Sequence, residues 1–161
     1  MLQRLRRGAA RGFSFVELLV VTALVAVLAS VALPLTRVTV QRQKEIELRR
    51  SLREMRTAID HFKDAADQGM IAGTQLDVRN EGYPPDLDVL VEGVDAAGTA
   101  TRRTLKFLRR IPIDPMTGTA EWGKRSYQDR PDSRTWGGQN VFDVYTTSDG
   151  TALDGSKYRD W

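Results

Sequence analysis

Two places in this chain combine residue types and spacing that could do chemistry. The first is Glu17, the only charged residue between Phe13 and Leu35 in the run FSFVELLVVTALVAVLASVALPL. A carboxylate in such an apolar setting costs roughly 2.5 kcal/mol or more in a bilayer, so it calls for a cationic partner. Gly12 stands immediately before this run, which puts a small-residue cleavage site ahead of the apolar segment rather than after it. Cutting there would free an amino group on Phe13, one helical turn from Glu17 and on the same face. The second place is the C-terminal stretch YTTSDGTALDGSKYRDW, where Asp149-Gly150 and Asp154-Gly155 set carboxylates beside residues that permit tight turns. A loop of this kind can aim several oxygens at a hard cation such as calcium, with hydroxyls and carbonyls from Thr146 to Leu153 completing the shell. The spacing is not that of an EF-hand, and Asp-Gly pairs by themselves are ordinary turn formers.

No catalytic constellation accompanies these carboxylates. The chain has one histidine, His61, and no cysteine, so a zinc site has too few ligands. No nucleophile elbow, phosphate-cradling loop or dinucleotide fingerprint occurs. The pairs Asp86/Asp88 and Asp64/Asp67 read as helix-start and surface charges. A membrane-anchored periplasmic enzyme is therefore the weakest reading.

The elements that must position Glu17 follow from hydropathy. The run from Phe13 to Leu35 is apolar on every face and would span roughly 34 Å as a helix, enough to cross a bilayer core. Four arginines and no acid precede it in MLQRLRRGAARG, and they account for the basic pI of about 9.4. Without them the chain holds 20 basic and 21 acidic residues. Arginines ahead of an apolar segment fit cytoplasmic retention by the positive-inside rule. No basic stripe with interleaved aromatics points to nucleic acid, and none is expected as a partner.

Beyond Pro34 the pattern predicts an amphipathic helix to about Asp67, with Leu48, Leu52, Met55, Ile59, Phe62 and Ala66 on one face as core. Glu45 with Arg49, and Arg56 with Asp60, are spaced for helix-surface pairs. Gly69 and Gly73 mark the exit from this helix, and YPPDLDVLVEG, residues 83–93, predicts a short one. DAAGTAT reads as a surface loop, and LKFLRRIPIDPMTG, residues 105–118, as a segment broken by two prolines and closed by a Thr-Gly turn. Strands are expected over residues 120–128 and 141–147.

GFSFVELLVV, with Gly12 before Phe13 and Glu17 at the fifth position after the cut, resembles the class III leader and N-terminal helix of type IV pilins and type II secretion pseudopilins. Pro34 adds to the match: it falls where family members also carry a proline, and it removes the hydrogen bond to the Ser30 carbonyl. The YP, IPIDP and C-terminal SDG segments, with Trp161, are similar to the major pseudopilins, although Met116 and Thr117 replace the family's tryptophan and glycine. The resemblance implies an α+β, pilin-like fold, a long N-terminal helix packed in its second half on a small antiparallel sheet. It further implies a cleaved leader over 1–12, a transmembrane and assembly helix over 13–35, and a periplasmic domain over 36–161. A prepilin peptidase would cut after Gly12 and methylate Phe13, and Glu17 would attract the amine of a neighbouring subunit in a homopolymer. The implied setting is a single-pass inner-membrane protein that joins a periplasmic pseudopilus with minor pseudopilins and an inner-membrane secretion platform. Calcium held by Asp149 and Asp154, or by Asp149 and Asp160, is the implied cofactor. The missing cysteines leave no disulfide staple of the kind many pilins use, and a type IV pilus subunit for motility, adhesion or DNA uptake stays as the alternative.

Overall fold

A computed structural model describes residues 12–73, 78–98 and 103–161, with the side chains of 31–36 and 78 outside that description. The chain is α+β: a long N-terminal helix is followed by two small antiparallel two-stranded sheets. It divides into two units, Met1–Val40 and Gln41–Trp161.

Helix α1 spans Phe15–Asp67. Ser14 opens it, its carbonyl accepting the Leu18 amide at 3.1 Å. Gly69 closes it in the left-handed region at φ 66°, where its amide reaches the Ala66 carbonyl at 3.0 Å and the Met70 amide reaches Ala65 at 2.9 Å. Those two bonds form a Schellman cap, which a residue with a Cβ would strain.

The core lies in the second unit. Leu48, Leu52, Met55, Ile59 and Phe62 of α1 are buried as their spacing predicts, and each side chain taken from water contributes about 1.5–3 kcal/mol. The stripe is wider than expected, since Ala58 and Ala65 are also buried while Ala66 is only half-buried. Ile71, Leu90, Val94, Leu108, Trp122, Val141 and Val144 pack against it. The short helix α2, Asp88–Glu92, adds Leu90. Strands β1, Val94–Asp95, and β2, Thr104–Leu105, pair antiparallel with Val94 opposite Leu105. That hairpin occupies part of the stretch read from sequence as a surface loop, because Val94 alternates inward and Ala96 bridges Ile71. Strands β3, Trp122–Arg125, and β4, Asp143–Thr146, fall inside their expected ranges, with Trp122 opposite Thr146 and Arg125 opposite Asp143.

The expected helix-surface ion pairs are replaced by tertiary ones. Arg56 reaches Asp143 rather than Asp60, at 2.7 Å from Nε to Oδ1, and also donates to the Val144 carbonyl at 3.2 Å. Asp143 accepts a second guanidinium, that of Arg125, at 3.2 Å. A carboxylate between two arginines in a half-buried setting gains more than an exposed pair four residues apart on a helix.

Candidate functional site

The N-terminal site is built on the first turn of α1. Every described residue from Gly12 to Ser30 is exposed, so the apolar side chains of Phe13, Phe15, Val16, Leu18 and Leu19 have nothing of their own unit covering them. An apolar surface of this extent belongs against lipid or other helices. Its hydroxyls are satisfied internally: Thr22 donates to the Leu18 carbonyl at 2.9 Å and Ser30 to Val27 at 2.7 Å. Side chains bonded back to their own helix need no water, which suits a hydrocarbon surrounding.

Glu17 sits in the first turn of α1. Ser14 and Glu17 have the Ser-x-x-Glu spacing of a capping box, and the helix N-terminus favours a negative charge there. Sequence reading for membrane cost alone missed this local benefit. Phe13 precedes the helix in the uncleaved chain, so the helical turn expected between Phe13 and Glu17 is absent from this form. The arginines of the leader lie outside the described residues. Pro34 lies within α1, and its side chain is outside the description.

The C-terminal aspartates are each engaged. Asp149 Oδ1 accepts Arg159 Nη1 at 2.8 Å. Asp154 Oδ1 accepts the Ser156 hydroxyl at 2.6 Å and its amide at 2.9 Å, and Arg49 stands 3.8 Å from Oδ2. The Ser156 hydroxyl and amide, with a smaller contribution from Arg49, hold the Asp154 carboxyl below the usual range. Asp160 lies 4.0 Å from Arg159 Nε. Among the described residues no group of three or more acidic, histidine or cysteine side chains gathers at one place. Thr146 donates its hydroxyl to the buried Asp114.

The family described as prokaryotic N-terminal methylation motif matches residues 7–33. The chain carries a class III prepilin leader. No curated protein and no solved structure matches. The motif covers Gly12, Phe13 and Glu17, is consistent with a type IV pilin-like protein, and implies processing by a prepilin peptidase, a membrane-anchored N-terminus and assembly into a pilus-type filament. Among the described residues no helix is long and apolar enough to cross a membrane, while the side chains that complete the apolar run, residues 31–36, are outside that description.

Sequence reasoning did not foresee which helix residues receive the C-terminal segment. Glu45 accepts the Tyr158 hydroxyl at 3.0 Å and the Leu153 amide at 2.8 Å. Gln41 donates to Tyr158 Oη at 2.9 Å, and Arg56 to the Trp161 carbonyl at 2.8 Å. These partners are more than a hundred residues apart in sequence, so no local spacing signals them. His61 is exposed on α1, as its charged neighbours suggest.

Proposed function

We propose that this chain is a structural subunit of a periplasmic pseudopilus of the type II secretion system. The observation that carries the reading is the methylation motif over residues 7–33, and the uncovered apolar surface of α1 supports it. In this account residues 1–12 are the cleaved leader, 13–35 the membrane and assembly helix, and 36–161 the periplasmic domain. The subunit waits in the inner membrane, is drawn into a homopolymer with minor pseudopilins on an inner-membrane platform, and the growing filament pushes folded cargo outward. Glu17 accepts the methylated amine of the neighbouring Phe13, so a charge unfavourable in lipid gains its partner on assembly. The YP, IPIDP and SDG segments and the absence of cysteine favour a pseudopilus over a pilus.

Assembly tests the proposal. Glu17→Ala should insert in the membrane as the parent does and fail to form filaments, as read by membrane fractionation and crosslinking. A variant that polymerises normally would refute the role of the carboxylate. Loss of exported protein without loss of surface fibres on deletion of the gene would place the filament in secretion. The reverse result would make it a pilus.

A further inference from the structure

The segment from Thr146 to Trp161 folds back on the helix through Gln41, Glu45, Arg49 and Arg56, at the place where the family resemblance leads one to expect calcium. Calcium takes six to eight oxygens at about 2.3–2.6 Å. Several of the loop's oxygens are already in use. The Gly150 carbonyl accepts the Tyr158 amide at 3.3 Å, the Ala152 carbonyl accepts Gly155 at 3.0 Å, and the Thr151 carbonyl accepts Gln41 Nε2 at 3.2 Å. The Thr151 hydroxyl accepts Lys157 Nζ at 2.7 Å, and the Thr146 hydroxyl is turned to Asp114. The two carboxylates face guanidinium groups, so the donor set does not fit a resident cation.

We propose that Arg159 and Arg49 do the structural work of that ion, closing the C-terminal segment on α1 without calcium. Arg159 neutralises Asp149 from within the segment, across the turn that Gly150 and the Thr151–Lys157 bridge create. Arg49 acts from the helix. Its guanidinium lies 3.9 Å over the Trp161 ring while facing Asp154, so one side chain joins an indole face and a carboxylate. Trp161 is held for this contact by its own indole N–H, which donates to the Ser156 hydroxyl at 2.8 Å, and by the edge of Tyr158 at 5.2 Å. Ser156 in turn donates to Asp154, which completes a ring of contacts through Arg49, Asp154, Ser156 and Trp161. A cation carried by the chain cannot be removed by chelation, so closure is independent of the metal content of the surroundings. It depends instead on the guanidinium groups of Arg49 and Arg159. Closure by these arginines also does not depend on filament assembly, and it stands or falls apart from the secretion reading.

The test uses the full chain in detergent micelles, read by amide hydrogen exchange over residues 150–161 and by melting temperature, in millimolar calcium chloride and in chelator. The parent protein should give the same exchange and the same Tm in both. Arg49→Ala/Arg159→Ala should quicken exchange at Leu153, Ser156 and Tyr158 by about tenfold and lower Tm by about 3–6 °C. A calcium-dependent rise in the parent's Tm, or slower exchange of its loop in calcium, would overturn the proposal. Unchanged exchange in the double variant would overturn it equally. Should that variant fail to fold, Arg159→Gln alone carries the test, with about threefold faster exchange from Gly150 to Tyr158 as the supporting result and no change as the refuting one.

Discussion

Replacing Asp143 with asparagine removes one charge from a three-membered cluster and keeps its shape. Asp143 accepts Arg56 Nε at 2.7 Å and Arg125 Nη1 at 3.2 Å, which fastens β4 to α1 and to the end of β3. Burial decides the magnitude. The Asp143 side chain is 24% exposed, Arg125 13% and Arg56 37%, whereas in the pair Arg130–Asp132 the two are 85% and 75% exposed. Removing one partner of a fully buried pair costs about 3–5 kcal/mol and an exposed pair is worth at most about 1. Discounted for the solvent that reaches Arg56, Asp143→Asn should cost about 2 kcal/mol, a fall in Tm of roughly 6–10 °C for a domain of this size. Asp132→Asn, the same chemistry at an exposed pair, should shift stability by less than about 0.5 kcal/mol. Urea denaturation of both variants under identical conditions gives the comparison. Equal losses in the two would refute the claim that partial burial makes the Asp143 cluster a structural fastening.

Two further outcomes follow from local geometry. A Cβ at Gly123 would meet the ring of Tyr145, its partner across β3 and β4. That ring is stacked by Arg125 at 4.2 Å, so Gly123→Ala should cost about 1–3 kcal/mol, and an unchanged melting curve would contradict the close approach. The Asp129 carboxyl is held below its ordinary 3.8 by the amides of Ser126 and Gly137, and Asp154 is lowered by Ser156. Depressed carboxylates stabilise the fold above the unfolded-state pKa, and that contribution is lost as pH falls through the folded one. Stability should therefore hold near neutrality and decline below about pH 5, with a smaller decline in Asp129→Asn; an acid profile identical to the parent's would contradict the assignment.

What the sequence made legible was periodicity. The stripe from Leu48 to Phe62, the helix exit at Gly69 and the two longer strands each announce themselves within a few residues, because burial on one face repeats at the helical or strand period. Charge pairing was not legible in this way. Glu45, Arg49 and Arg56 sit at spacings that suit partners on their own helix, yet each takes partners brought in by the fold: the Tyr158 hydroxyl and Leu153 amide for Glu45, Asp154 and the Trp161 ring for Arg49, and the half-buried Asp143 for Arg56. The β1–β2 hairpin was hidden because two-residue strands carry almost no alternation to read. Asp114 shows the same limit: its place in IPIDP marks a turn, but nothing nearby in sequence says that its carboxylate is buried against Thr146 and the Met116 amide. At the N-terminus the order of glycine, phenylalanine and glutamate lies inside the methylation motif over residues 7–33, and its proposed role as a processing code was read from the sequence without any fold.

The central claim is that this chain is processed as a prepilin, and intact-mass and N-terminal sequencing of the membrane-extracted protein test it most directly. The account predicts a mature chain that begins at Phe13 with one added methyl group, and a Gly12→Val variant that keeps its arginine leader. A mature chain that begins at any other residue, or a Gly12→Val variant cut as the parent is, would contradict it.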